Sequence, residues 1–107
     1  MTVLCVENRS DYMAMLKCGL EKTGCEVLTA NNAKEALGLL VTEVIEGVLL
    51  EYDLPGATGA ALRADMKLLQ PDVPILLFNG VSSQTPFLLR FFASYLRNAR
   101  PEDGNGE

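Results

Sequence analysis

Acidic and amide side chains follow several of the short apolar segments in this sequence. Glu7 and Asn8 come after the first such segment, Glu51 ends a later one with Asp53 two positions beyond it, and Asn79 follows another. If these segments are parallel strands, their carboxyl ends meet at one edge of the sheet, where ligands bind in open α/β folds. The sequence therefore predicts a cluster of carboxylate and amide oxygens, which are the donors that hard divalent cations take.

Histidine is absent from the 107 residues, and the formal net charge is −5. The first fact excludes phosphohistidine chemistry, histidine general-base catalysis and histidine-containing zinc sites from this segment. The second argues against binding to nucleic acid or to an anionic membrane surface. The three cysteines form neither an even set nor a tight metal pair, and we expect reduced, buried thiols in a cytoplasmic protein.

The elements that must position these residues alternate along the chain. Short apolar runs, typical of buried parallel strands, are separated by amphipathic segments with helix-capping signals at Asn32 and Thr58. This alternation predicts one α/β domain over residues 1–100, a three-layer doubly wound parallel sheet, followed by a polar tail at 101–107. No apolar run is long enough for a membrane span, so no membrane association is expected.

The C-terminal quarter allows two interpretations. The apolar residues from Phe87 to Leu96 recur at helical spacing, which would fit one helix from Pro86 nearly to Arg100. The architecture favours instead a short helix and a fifth strand around 94–97, which gives strand order 2-1-3-4-5 with the final helix missing or replaced.

Three of the strand-end segments share a pattern with a known family. Residues 4–8, 49–56 and 74–80 resemble the successive strand-end motifs of response-regulator receiver domains, and the similarity covers about residues 2 to 98. The most specific part is the strand that ends in acidic Glu51 four positions before Pro55, with Gly59 shortly after. The resemblance implies a flavodoxin-like fold and a role in two-component, phosphorelay signalling.

The chain departs from the family pattern at every position that handles the phosphoryl group. The resemblance implies two acids after strand one, an aspartate phosphoacceptor, a hydroxyl residue after strand four and a lysine after strand five. This sequence has Glu7 and Asn8, Glu51, Asn79 and Asn98 there. Glutamate places its carboxylate further out than aspartate, and Asn8 removes a charge, so a site for Mg²⁺ with near-octahedral geometry is spoiled. We expect no cofactor, weak or absent magnesium binding, no enzymatic activity and no self-catalysed phosphorylation.

Glu51 itself has three possible roles. It could mimic the phosphorylated state permanently, it could be one of three hydrated carboxylates with Glu7 and Asp53, or it could belong to a residual metal site. Tyr95 corresponds to the switch aromatic that the resemblance implies, but an aromatic on an apolar stripe is more often core. We favour the hydrated carboxylates and a core Tyr95.

The predicted function is therefore a degenerate pseudo-receiver that acts through contacts with a protein partner or effector domain. The alternative is a receiver still phosphorylated on Asp53 or Glu51. A flavin-binding domain would share the sheet, but Glu7 and Asp11 would repel its phosphate. Because residues 101–107 cannot form an amphipathic helix, we expect a face covered by 87–96 or by a second copy. The sequence predicts a homodimer with an association surface at Leu88, Phe91 and Phe92.

Overall fold

The computed structural model of this protein describes residues 1–99, and the predicted tail at 101–107 lies outside the described residues. A parallel four-stranded sheet in the order β2-β1-β3-β6 forms the middle layer. A separate two-stranded antiparallel hairpin, β4-β5, follows β3 in the chain. The elements in chain order are β1 (Thr2–Val6), α1 (Ser10–Lys22), β2 (Glu26–Ala30), α2 (Ala33–Thr42), β3 (Gly47–Glu51), β4 (Asp53–Leu54), β5 (Ala57–Thr58), α3 (Gly59–Leu69), β6 (Ile75–Phe78) and α4 (Thr85–Ala99). The predicted α/β class and the doubly wound parallel sheet are confirmed.

Local sequence signals account for where α2 and α3 begin. The Asn32 side chain accepts a hydrogen bond from the Glu35 backbone N–H at 2.9 Å, and the Glu35 carboxylate accepts one from the Asn31 N–H. The Thr58 hydroxyl accepts one from the Ala61 N–H at 3.1 Å. Both predicted caps are therefore present, and they satisfy N–H groups that the first turn of a helix leaves without partners. Helix α1 differs, because it begins at Ser10 with Arg9 at the cap position and no side-chain cap.

The helices cover the two faces of the sheet in pairs. One core cluster joins one face of the sheet to α1 and α4, and its members include Val3, Leu16, Leu49, Phe92 and Leu96. The other joins the opposite face to α2 and α3, and it includes Leu4, Leu40, Leu50, Leu62 and Met66. Strands β1 and β3 lie between the two clusters with their apolar side chains buried, as expected for central parallel strands.

The prediction of a fifth strand around 94–97 is wrong. These residues lie within α4, a single fifteen-residue helix. In residues 1–99 the last strand of the parallel sheet is β6, which corresponds to the fourth predicted strand. The physical reason is the helical spacing of Leu89, Phe92, Ala93 and Leu96, which are all buried against the sheet. The segment therefore folds back over the face of the sheet beside α1.

Two glycines allow α4 to approach this closely. A Cβ atom at Gly47, the first residue of β3, would lie 2.5 Å from Cδ1 of Leu96, and one at Gly19 on α1 would collide with Leu89. Near the end of α4, the Arg97 guanidinium donates a hydrogen bond to the Thr23 carbonyl, just after α1. The last turn of α4 therefore lies at the amino edge of the sheet, beside the start of β3.

Several predictions for individual side chains need correction. Phe92 is 3% exposed and belongs to the core, so it cannot be part of an association surface, whereas Phe91 is 59% exposed. Tyr95 is 50% exposed, so it is not a core aromatic. Cys5 and Cys25 are buried as expected, but Cys18 is exposed. Over residues 1–99, no helix has the length and apolar content needed to cross a membrane.

Candidate functional site

The carboxyl ends of β1, β3 and β6 bring the predicted site residues to one edge of the sheet. Glu51 pairs with Phe78 in the register of β3 and β6, so that Asn79 and Gly80 follow directly beside it. Glu7 follows β1, the strand on the other side of β3. The site is thus built from three neighbouring strand ends, as the parallel topology requires.

Glu51 is buried, with 3% of its surface exposed. Its Oε2 accepts a hydrogen bond from the backbone N–H of Asp53 at 2.9 Å, and its Oε1 accepts one from the backbone N–H of Gly80 at 2.9 Å. The carboxylate therefore joins the loop after β3 to the loop after β6. Because it is enclosed and has partners on both oxygens, Glu51 is not the hydrated carboxylate that we expected.

Glu7 is fully buried beside Glu51. Its Oε2 accepts a hydrogen bond from the Arg9 backbone N–H at 3.1 Å, while its Oε1 has no hydrogen-bond partner among the described residues. Burial raises the pKa of the Glu7 carboxyl above its ordinary value of 4.5, and the negative charge of the neighbouring Glu51 raises it further. Glu7 therefore takes up a proton more readily than an exposed glutamate does, and that proton would allow it to donate to Glu51. The expectation of a hydrated Glu7 is therefore also wrong.

The pair also affects the neighbouring thiol on β1. Burial, and to a smaller extent the neighbouring Glu7 carboxyl, raises the pKa of Cys5 to about 12. The thiolate is the reactive form of cysteine, so Cys5 is an inert core residue at neutral pH.

The other predicted site residues divide into two groups. Asn8, Asp53 and Asn79 are exposed and lie at the same edge as Glu7 and Glu51. Asn98 follows Arg97 on α4, at the opposite, amino edge of the sheet. Residues 94–97 are helical, so the structure does not place Tyr95 and Asn98 in and after a fifth strand, and α4 carries both away from the site.

Two features of the site depend on glycines and backbone N–H groups, whose contacts the sequence analysis did not predict. The donors to Glu51 are the backbone N–H groups of Asp53 and Gly80, and Gly80 has a φ of 78°, which is accessible to glycine at little cost. Gly59 is the second feature, since a Cβ atom there would lie 2.7 Å from the Tyr52 Cα and would also meet the Glu51 carbonyl. The Asn79-Gly80 pair after the fourth predicted strand and the glycine at 59 were the available signals.

The residues present do not fit a magnesium site. Both Glu51 oxygens are used by backbone N–H groups, and Glu7 is directed at Glu51 and the Arg9 N–H. Within residues 1–99 there is no group of three or more acidic, cysteine or histidine side chains arranged to hold a metal ion. A hard cation would need these oxygens to give up hydrogen bonds that the fold already provides.

Comparison with known proteins identifies the family. Residues 3–92 match the response regulator receiver domain, so the chain belongs to that family. It is 31% identical over 81 residues to the transcriptional regulatory protein PrrA of Mycobacterium tuberculosis, covering 76% of this chain and 35% of PrrA. It is 32% identical over 81 residues to the phosphate regulon transcriptional regulatory protein PhoB of Pseudomonas aeruginosa, covering 74% of this chain and 35% of PhoB. The chain thus spans about a third of the length of these relatives.

Solved structures give the same fold. The non-phosphorylated HemR receiver domain of Leptospira biflexa has a TM-score of 0.78 at 21% identity, with 95% of this chain and 98% of that one covered. The response regulator TrrA of Thermotoga maritima, solved in complex with the histidine kinase ThkA, has a TM-score of 0.70 at 27% identity, with 76% and 70% covered. This protein is therefore a receiver domain of the two-component response-regulator type, a class of signalling module that contacts kinases and effector domains.

Proposed function

We propose that this receiver domain signals in the cytoplasm through protein contacts, as a pseudo-receiver without enzymatic activity that does not accept a phosphoryl group. The observation that carries the proposal is the burial of Glu51 with backbone hydrogen bonds on both carboxylate oxygens. An acceptor must present an oxygen to the phosphoryl donor, and Glu51 is enclosed with each of its oxygens already accepting a hydrogen bond from a backbone N–H. The receiver family supplies the signalling context, and the geometry supports a changed mode of action.

The surroundings of Glu51 support the same conclusion. Phosphoryl transfer depends on cations that neutralise the developing charge. The side chain next to Glu51 is a buried carboxyl, Glu7, and Asn98 lies at the far edge of the sheet. A dianionic phosphoryl group would therefore approach negative groups without compensation. Magnesium would have to displace the hydrogen bonds of Glu51 before it could help.

Glu51 also supports a permanent signalling state. Its carboxylate bonds to N–H groups in the loops after both β3 and β6, and these bonds do not depend on any modification. We infer that Glu51 holds the two loops in one arrangement, which is the role of a locked mimic. The rival acceptor is Asp53, because its carboxylate is exposed at the same edge.

Incubation with acetyl phosphate and Mg²⁺ should leave the mass of the intact protein unchanged. The reasons are that Glu51 is enclosed and that the side chain next to it is the carboxyl of Glu7 and not a cation. Intact-mass spectrometry measures this directly, with a receiver domain that has an acceptor aspartate as the positive control. A gain of one phosphoryl unit would overturn the proposal, and its loss in Asp53→Asn or in Glu51→Gln would identify the acceptor.

Millimolar Mg²⁺ should not raise the melting temperature measurably. A ligand that binds only the folded state stabilises in proportion to its occupancy, and the donor set here does not favour occupancy. The double variant Asn8→Asp, Glu51→Asp is the matched comparison, because it restores a second acid and shortens the side chain at 51. Differential scanning fluorimetry should show a magnesium-dependent rise in that variant alone. A rise in the unaltered protein would contradict the assigned donor geometry.

A further inference from the structure

Strand β6 has an open edge. It pairs with β3 on one side, and no other strand within residues 1–99 pairs with it. The Pro74 and Phe78 carbonyls accept hydrogen bonds from the Val48 and Tyr52 N–H groups of the β3 side. Because successive residues of a strand direct their backbone groups to alternate sides, the N–H and C=O groups of Ile75 and Leu77 face outward.

The residues of β6 do not themselves protect this edge, although the Lys67 ammonium of α3 donates to the Val73 carbonyl just before the strand. Natural edge strands carry charges, prolines or bulges that prevent pairing with another chain. Residues 75–78 are Ile-Leu-Leu-Phe, without a charge or a proline. Their side chains already pack on both faces of the sheet, so an added strand would extend an existing core.

A groove of about 370 Å³ lies beside the edge. Its floor includes Ile75 and Leu76, one wall is α3 with Arg63 and Lys67, and the other is α4. The α4 wall presents a stripe of aromatic side chains at helical spacing. Phe91 and Tyr95 line the groove with 59% and 50% of their surfaces exposed, and Phe87, which is 62% exposed, continues the stripe one turn earlier on α4. Large aromatic side chains in this number and arrangement are typical of protein interfaces.

We propose that a second copy of this chain occupies the edge, with the two β6 strands antiparallel about a twofold axis. The two four-stranded sheets then become one continuous sheet of eight strands. This inference deepens the proposed function, since it names the partner for the protein contacts. It also gives the predicted homodimer a geometry that includes Phe91 and the half-buried Leu88 but not the core residue Phe92.

The edge is self-complementary in a way that favours a second copy. A twofold axis perpendicular to the sheet keeps each face on its own side, so the aromatic stripe of one α4 meets the stripe of the other. Residues opposite each other across the axis are then of the same apolar type, with Leu76 near its own copy. Three half-exposed aromatics contribute roughly 300 Å² per copy, and the strand edge adds to this, which approaches the lower end of stable interfaces. We therefore expect a dissociation constant on the order of tens of micromolar.

The effect of salt distinguishes a second copy of this chain from an acidic segment of another protein as the occupant of the β6 edge. Each copy carries a formal net charge of −5, and the twofold axis brings the two α3 helices with their exposed Arg63 side chains to the same side. Both sets of like charges oppose association, so salt should strengthen the dimer by screening their repulsion. An acidic strand bound to the Arg63 and Lys67 wall would instead be weakened by salt.

Sedimentation velocity and amide hydrogen exchange test the proposal on the full chain, without Mg²⁺ or a phosphoryl donor. We expect a dimer that tightens with salt, and slower exchange of the Ile75 and Leu77 amides at high protein concentration than at low. The Phe78 amide, which faces β3, should exchange equally slowly at both concentrations. Phe91→Glu should weaken the dimer by about tenfold or more. Val41→Glu, a matched change at an exposed residue of α2, should not.

Three results would overturn the dimer. They are a monomer at several times the expected dissociation constant, a dimer that leaves the Ile75 and Leu77 amides unprotected, and a dimer weakened by salt. A monomer that binds an acidic peptide in a salt-sensitive manner would assign the groove to another protein. Each result leaves the acetyl phosphate experiment independent, so failure of the dimer and failure of the proposed function are distinguishable.

Discussion

Phe92→Ala is expected to lower the free energy of unfolding by about 3–5 kcal/mol, because it deletes a large buried aromatic and leaves a cavity. Phe92 is 3% exposed and packs in the cluster that joins α1, α4 and the sheet. The neighbouring change Phe91→Ala should cost less than about 0.5 kcal/mol, since Phe91 is 59% exposed. Urea unfolding at low protein concentration measures both without a contribution from association.

The pair of variants tests the replacement of a fifth strand by α4. Adjacent residues in a helix lie about 100° apart, so one can be buried while the other faces solvent. Far-ultraviolet circular dichroism should show that both variants keep the helix content of the unaltered protein. Equal destabilisation by the two changes would contradict the packing of α4 described above.

The free energy of unfolding should fall as pH rises from mildly acidic to alkaline values, and Glu7→Gln should remove most of this dependence. The pKa of Glu7 is raised in the folded state from an ordinary value of 4.5, mainly by burial and then by Glu51. The folded state therefore binds the proton more tightly than the unfolded state. Its stabilising contribution is complete below 4.5 and is lost as pH rises through the folded pKa.

At neutral and higher pH, Glu7→Gln should raise the melting temperature by several degrees. A glutamine is neutral, keeps the length of the side chain and can donate to the Glu51 carboxylate as a protonated Glu7 does. Thermal unfolding at several pH values provides the measurement. Glu46→Gln is a control on the half-buried surface near β1 and should keep the pH dependence. If Glu7→Gln destabilised the protein at pH 8, the description of Glu7 as a carboxyl that is protonated against Glu51 would be wrong.

The two predictions address the two places where this receiver domain departs from the expectations of its sequence. In place of a solvated acid cluster, the site has a buried carboxyl pair whose hydrogen bonds hold two loops. In place of the predicted fifth strand, residues 85–99 form a helix that packs beside α1, and within residues 1–99 the outer edge of β6 is unpaired. The open edge and the enclosed site are connected through β6, since Gly80 lies two residues after this strand and donates to Glu51. Docking at the edge would therefore contact the element that carries one of the two loops.

Local sequence was sufficient to predict the central strands, the capped helices and the protein family. Continuous apolar runs predict strands buried on both faces, and Asn32 and Thr58 satisfy helix N–H groups within three residues of themselves. These signals depend on neighbours in the chain, so they can be read without a structure. The five acidic and amide residues at the predicted strand ends, from Glu7 to Asn79, likewise reach one edge because parallel topology alone requires it.

Tertiary structure decided what those residues do. The carboxylate of Glu51 accepts from Gly80, 29 residues away, and the pKa of Glu7 is set by a strand end that adjoins it only in the fold. Helical periodicity shows that α4 has an apolar face, but it does not show which surface that face covers. The spacing of Phe91 and Phe92 is therefore compatible with either residue at an interface. Burial and hydration are properties of everything that surrounds a group, and for Glu51, Glu7 and α4 the surroundings come from distant parts of the chain.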